Sequence, residues 1–130
     1  MITPVQTIML ITPRPETLDD AMHPFLEAGF TIQTEKNVDT ALARLNPAHP
    51  PALILLDASD DNEGSSLRKD CMRVLAQCAM TCISATSPIP KKHFHSVMEG
   101  LGMLPPLPPN PSRHDGESLL TTLQRFLPRG

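Results

Sequence analysis

The chain alternates short apolar runs with stretches in which apolar residues recur every three or four positions. Thr7-Ile8-Met9-Leu10-Ile11 is an apolar run without polar alternation, and it ends at Thr12-Pro13-Arg14-Pro15. Such a run suits a parallel strand covered on both faces. Over residues 16–28, Leu18, Met22, Phe25 and Leu26 fall at i, i+4, i+7 and i+8, the stripe of an amphipathic helix. Thr17 with Asp20 resembles a capping box, Pro24 is placed to kink this helix, and Gly29 suits its C-terminal end. Residues 30–34 alternate apolar and polar, which predicts a half-buried strand near a sheet edge. Asn37 is expected to cap a second helix that carries Val38, Ala41, Leu42 and Leu45 on its apolar stripe and stops at Asn46-Pro47.

Ala52-Leu53-Ile54-Leu55-Leu56 is the strongest strand signal and ends in Asp57. A polar loop, 58–64, carries Asp60, Asp61 and Glu63. A third helix is expected to start near Ser65 or Ser66 and to bury Leu67, Cys71, Val74, Leu75 and Cys78. Residues 80–84 predict a fourth strand. Thr86-Ser87-Pro88-Ile89-Pro90 opens a fourth helix with Phe94, Val97, Met98 and Leu101 inward. Met103-Leu104 begin a poor fifth strand, interrupted at once by Pro105, Pro106, Pro108, Pro109 and Pro111. Asp115 is placed to cap a last helix with Leu119, Leu120, Leu123, Phe126 and Leu127 apolar, and Pro128-Arg129-Gly130 closes it.

Five β–α units in this order predict an α/β fold, with a parallel sheet and helices on both faces. At this length the flavodoxin-like (βα)5 doubly wound sheet, strand order 2-1-3-4-5, is the natural form, with the fifth strand short or irregular because proline removes ladder donors. Residues 1–130 read as a single domain.

Composition narrows the function classes. Proline is 15 of 130 residues, more than twice the usual share of about 5%, and with only 6 glycines the excess is neither collagen-like nor a flexible linker. A net charge of −3 and 4 aromatic residues give no electrostatic or stacking basis for binding nucleic acid. Met1-Ile2-Thr3-Pro4-Val5-Gln6 lacks the basic and apolar stretches of a secretory leader, and no apolar run approaches membrane-spanning length. The expectation is a cytoplasmic chain without a membrane partner. Cys71, Cys78 and Cys82 have no CxxC spacing and suit reduced thiols buried as small hydrophobes. Neither a phosphate-cradling glycine loop nor a cysteine–histidine nucleophile pattern is present, so no enzymatic site is expected. His93 and His95 lie two apart on a helix and cannot chelate one metal together.

The segments Leu26-Glu27-Ala28-Gly29-Phe30-Thr31-Ile32, Asn37-Val38-Asp39-Thr40-Ala41-Leu42 and Pro51-Ala52-Leu53-Ile54-Leu55-Leu56-Asp57 resemble a response-regulator receiver domain in content and spacing. The resemblance covers nearly the whole chain in element order and is specific from about residue 18 to 57. It implies a phosphoacceptor at Asp57, the end of the third strand. Receivers carry acidic residues just after the first strand to hold Mg²⁺, but here the stretch is Ile11-Thr12-Pro13-Arg14-Pro15 with no carboxylate. Receivers carry a Thr or Ser and then a small residue at the end of the fourth strand, a switch position matched here by Ser84-Ala85. The Lys-Pro step after their fifth strand falls on Leu107-Pro108, so the lysine is missing.

These losses bear directly on the chemistry. Moving a phosphoryl group onto a carboxylate gathers several negative charges, which Mg²⁺ and a lysine neutralise. Mg²⁺ binding at Asp57 alone is doubtful, since the ion takes near-octahedral oxygen ligands including one or two carboxylates. Asp60, Asp61 and Glu63 read as loop and helix-N-terminal charges. Arg14 sits where a metal-binding acid would be, which makes it a candidate to reach Asp57 in place of the cation; its plain alternative is a surface arginine in a proline-flanked loop. The expected cofactor set is therefore empty. The resemblance also makes the fourth helix, the fifth strand and the fifth helix a docking face, altered here by Pro105 to Pro111. Lys91, Lys92, His93 and His95 would contribute to it, and the implied partner is a histidine kinase or effector domain or a second copy of the chain. The expected function is a degenerate receiver acting as a protein–protein interaction module. Two alternatives stand beside it: a receiver phosphorylated at Asp57 in an atypical site, and a small-molecule binder or enzyme using a crevice where Thr12, Asp57 and Ser84 converge.

Overall fold

The computed structural model describes residues 6–127; the Met1–Val5 stretch and the Pro128-Arg129-Gly130 end read from the sequence lie outside them. Four parallel strands, β1 (Thr7–Ile11), β2 (Thr31–Glu35), β3 (Leu53–Asp57) and β4 (Cys82–Thr86), form one sheet in the order β2-β1-β3-β4. The helices are α1 (Asp19–Glu27), α2 (Val38–Arg44), α3 (Ser65–Gln77), α4 (Lys91–Val97) and α5 (Arg113–Phe126). The flavodoxin-like α/β class and the 2-1-3-4 order follow the expectation.

The continuous apolar runs of β1 and β3 are explained by burial on both faces. Ile8, Leu10, Leu53 and Leu55 pack with α1 and α5 residues such as Phe25, Leu119 and Leu123. Met9, Ile11, Ile54 and Leu56 pack with the stripes of α2, α3 and α4, including Val38, Cys71 and Phe94. The cysteines are free: Cys71 and Cys78 are buried and Cys82 partly so. Burial pushes the Cys71 thiol up to about 12, so it is an inert core group. No helix among the described residues is long and apolar enough to cross a membrane.

Several local expectations change. A 3₁₀ turn (Pro15–Leu18) precedes α1, and Thr17 uses its hydroxyl on the Arg14 carbonyl rather than in a capping box with Asp20. Helix α1 runs through Pro24, which is buried. Ser112, not Asp115, is the N-cap of α5; Asp115 is the third residue of a reciprocal capping box with it. Asn37 caps α2 as expected, with Thr40 completing the box. Leu26 and Phe126 face outward, 51% and 63% exposed, because the inward faces of α1 and α5 are narrower than their apolar stripes.

The fifth strand is reduced to one parallel bridge, Thr86 to Leu107. Leu104 donates its N–H to the Ile83 carbonyl and Leu107 to the Ala85 carbonyl, at 2.9 and 2.8 Å. Pro105 and Pro106 between them have no N–H, so no ladder can form.

Helix α5 approaches α1 at Gly116. A Cβ built there would lie 2.0 Å from the Ala21 carbonyl oxygen, a backbone atom that cannot swing aside. Gly116→Ala is therefore expected to cost about 1–3 kcal/mol or more in urea unfolding, against less than about 0.5 kcal/mol for the exposed Ser118→Ala. Equal stabilities for the two variants would contradict this packing.

Candidate functional site

The side chains of Thr12, Asp57 and Thr86 form one row across the C-terminal edge of the sheet. Register sets this row: Leu10, Leu55 and Ser84 align, then Ile11, Leu56 and Ala85, and then Asp57 with Thr86. Thr12 follows Ile11 directly, and its N–H donates to the Glu35 carbonyl at the end of β2 (2.9 Å). Side chains alternate faces, so all three residues of the row point to the α1/α5 side.

The Asp57 carboxylate is only 2% exposed and is almost saturated with donors. Thr12 Oγ1 donates to Oδ2 at 2.6 Å. Ser59 donates to Oδ1 from its backbone N–H at 3.0 Å and from Oγ at 2.6 Å, and Thr86 Oγ1 donates to the same oxygen at 3.0 Å. The Ser59 contacts are an Asx-turn with a hydroxyl added. Burial alone would push the carboxyl up, but the bonds from Ser59, Thr12 and Thr86 together outweigh it and hold Asp57 below the ordinary aspartate range.

Arg14 does come to this carboxylate, at 3.7 Å from Oδ2, too long for a hydrogen bond. Its closer partner is Asp60, where Nη2 donates to Oδ2 at 3.2 Å. Its backbone N–H donates to Thr12 Oγ1 at 3.0 Å, so Arg14 also orients the hydroxyl that serves Asp57. The guanidinium is 44% exposed, and its field at Asp57 is screened.

Ser84 does not reach the site. Strand β4 begins and ends two residues later than the sequence suggests, because Met80 is 88% exposed in the preceding turn. Ser84 is wholly buried beside Leu55 and donates to the Pro105 carbonyl at 2.9 Å. Thr86, followed by the small residue Ser87, stands at the strand end instead. The crevice thus joins Thr12, Asp57 and Thr86, without Ser84. Sequence reading missed Ser59 as well; its position two residues after an aspartate is the Asx-turn signal that could have found it.

The loop acids have separate duties. Asp61 accepts the N–H groups of Glu63, Gly64 and Leu67, capping α3 from outside because Gly64 at its N-cap has no side chain. Burial opposes this, yet the N–H bonds hold the Asp61 carboxyl below the ordinary range. An open cleft of about 710 Å³ lies over this edge, with Arg14, Lys36, Asp57, Asp60 and Asp70 among its walls.

These residues do not fit Mg²⁺. Asp57 is spent on hydroxyl and amide donors, Asp60 is paired with Arg14, and Asp61 is spent on the helix end. The Pro13 side chain offers no ligand, and a cation on Asp57 Oδ2 would face a guanidinium. Among the described residues no group of three or more His, Cys, Asp or Glu side chains could hold a metal ion. His93 and His95 are both exposed on α4.

No family model matches the chain, and no curated protein matches it in sequence. Solved structures do match in fold. A response regulator from Thermotoga maritima superposes with a TM-score of 0.71 at 17% identity, covering 95% of this chain and 98% of that one. The fold is that of a receiver domain. A chemotaxis response regulator of Vibrio cholerae gives a TM-score of 0.68 at 17% identity, over 95% of this chain and 100% of the other. The signal receiver domain of an HD domain-containing protein from Pseudomonas fluorescens gives 0.69 at 18% identity, over 98% and 90%. Within this receiver fold, Asp57 ends the third strand and Thr86 the fourth, while Pro13-Arg14 follows the first.

Two outcomes test the electrostatics. A depressed folded pKa means that Asp57 contributes stability fully above its unfolded value of about 3.9, and that this is lost as the pH falls through the lower folded value. Stability against urea should therefore fall below about pH 4, and less steeply in Asp57→Asn; equal slopes would remove Asp57 from the account. In carboxyl NMR titrations, Thr86→Val should raise the Asp57 pKa more than Arg14→Ala does and cost about 1–3 kcal/mol. The reverse order would make the guanidinium the dominant partner, and no change of titration or stability in Arg14→Ala would leave it a mere surface residue.

Proposed function

We propose that this chain is a degenerate receiver domain, a protein–protein interaction module in signal transduction that works without Mg²⁺-dependent phosphorylation. The observation that carries the reading is the environment of Asp57: donors from Thr12, Ser59 and Thr86 on both oxygens and the Arg14 guanidinium at 3.7 Å where a receiver would hold its metal. A carboxylate whose two oxygens already accept four hydrogen bonds has few lone pairs left for attack on phosphorus. The charge gathered in phosphoryl transfer would meet neither a divalent ion nor the lysine after a fifth strand, since Leu107 and Pro108 stand there. Arg14 and the hydroxyls take the cation's place and favour one fixed state of the domain.

In this reading the partner is a signalling protein, a histidine kinase or an effector domain. The docking face is α4 with the segment that follows it. Lys91, Lys92 and His93 are exposed there, beside an apolar cleft of about 650 Å³ that includes Phe94, Met98 and Met103.

Incubation with acetyl phosphate and Mg²⁺ is expected to leave the intact mass unchanged, and beryllofluoride to leave the amide shifts of Asp57 and Thr86 in place. A phosphoryl adduct that disappears in Asp57→Ala would overturn the reading in favour of an atypical phosphoacceptor.

A further inference from the structure

The prolines that stand in for a regular fifth strand have a period of their own. Leu104 is buried, Pro105 exposed and Pro106 half-buried; Leu107 is buried, Pro108 exposed and Pro109 half-buried. Strands repeat their faces every two residues and α-helices every 3.6, whereas three residues per turn is the repeat of polyproline II. The buried edge is anchored along β4 by the Leu104 and Leu107 N–H groups, at 2.9 and 2.8 Å from their acceptors. Ser84 Oγ fixes the intervening Pro105 carbonyl at 2.9 Å. The chain then bends at Pro109 and Asn110, Asn110 with φ at 52°, before the buried Pro111.

We propose that residues 105–109 are a polyproline II ligand, displayed ready-made on the domain surface for a partner module with an aromatic-lined groove. Modules of this class read the P-x-x-P spacing on a preformed left-handed helix. Within residues 105–109 the spacing occurs twice, Pro105 with Pro108 and Pro106 with Pro109. Leu107, the residue between the two Pro-Pro pairs, is 5% exposed and packs into the core, so both outward edges are proline alone. A free proline-rich peptide must be ordered on binding; this one is held by its own domain, which lowers that cost. The absence of a fifth ladder strand is then a consequence of presenting this surface. The proposal deepens the interaction-module reading and rests on it. The two fail separately, because phosphorylation is read at Asp57 and proline recognition at 105–109.

The test is NMR titration of the intact chain with isolated SH3 and WW domains as probes of the class. At least one probe is expected to bind saturably, with shifts confined to residues 104–110 and their neighbours. Pro105→Ala/Pro108→Ala should weaken that binding about tenfold or more while leaving the dispersed spectrum intact. Should that variant lose its fold, competition decides: a peptide of residues 103–111 should displace the chain from the probe, and do so less well than unlabelled chain. Failure of every probe to bind overturns the proposal. So does unchanged affinity in the folded variant, or a peptide that does not compete.

Discussion

Asp57 places an ionised carboxylate, 2% exposed, at the rim of an apolar sheet. A buried charge without partners costs several kcal/mol, so this position is tenable only because its surroundings supply donors. They come from three separate chain segments, the end of β1, the loop after β3 and the end of β4. The registers of the strands therefore depend on one another. A one-residue slip of β4 would turn Ile83 and Ala85 to the wrong face. A two-residue slip would keep the faces and bring Ser84 to the carboxylate, but it would break the Ser84 bond to Pro105 and the bridge from Thr86 to Leu107. Polar satisfaction at Asp57 and hydrophobic alternation select the same alignment.

That coupling explains what the sequence could disclose and what it could not. β1 and β3 were legible because burial on both faces leaves an unbroken apolar run. Helix α2 was legible because Asn37 is a strong local cap. Asp57 was legible as the end of the strongest strand. Thr86 was not, because Ser84-Ala85 and Thr86-Ser87 carry the same pattern of a hydroxyl followed by a small residue, and only pairing with β3 separates them. Ser59 lies in a loop, where no periodicity marks it. The proximity of Arg14 to Asp57 could be inferred from position, but its closer partner Asp60 arrives from a loop whose path is tertiary. Gly116 reads as a weak helix residue until the Ala21 backbone beside it gives the reason.

The prolines act on the same edge of the sheet. In a regular fifth strand, alternate N–H groups would continue the ladder beyond β4. With Pro105 and Pro106 unable to donate, the segment's own N–H bonds to β4 come from Leu104 and Leu107, whose side chains fill the α1/α5 core, while its Pro105 and Leu107 carbonyls accept from Ser84 Oγ and the Ser87 N–H. The segment is thus ordered by its leucines and released from strand geometry by its prolines. Ser84, buried and two residues short of Asp57, serves this edge rather than the carboxylate.

Beyond Asp57 the same economy of donors runs into the helices. Asp61 closes the N-terminus of α3, and Gly64 leaves so little room that a Cβ there would lie 2.9 Å from Val97. Arg68 on α3 then donates to the carbonyls of Val97 and Glu99 at the far end of α4, at 2.9 and 3.1 Å. The loop after β3, α3 and the end of α4 are joined by bonds whose partners are all assigned. A ligand or modification shifts a domain only by its differential affinity for a second state. Any second state that moved Asp57 and its loop would have to give up a buried charge's donors, a helix cap and the Arg68 contacts together. Losses of that kind are each about 1–3 kcal/mol. A rearrangement of the loop after β3 is therefore coupled to the end of α4, because Asp57, Asp61 and Arg68 hold the two through one connected set of hydrogen bonds.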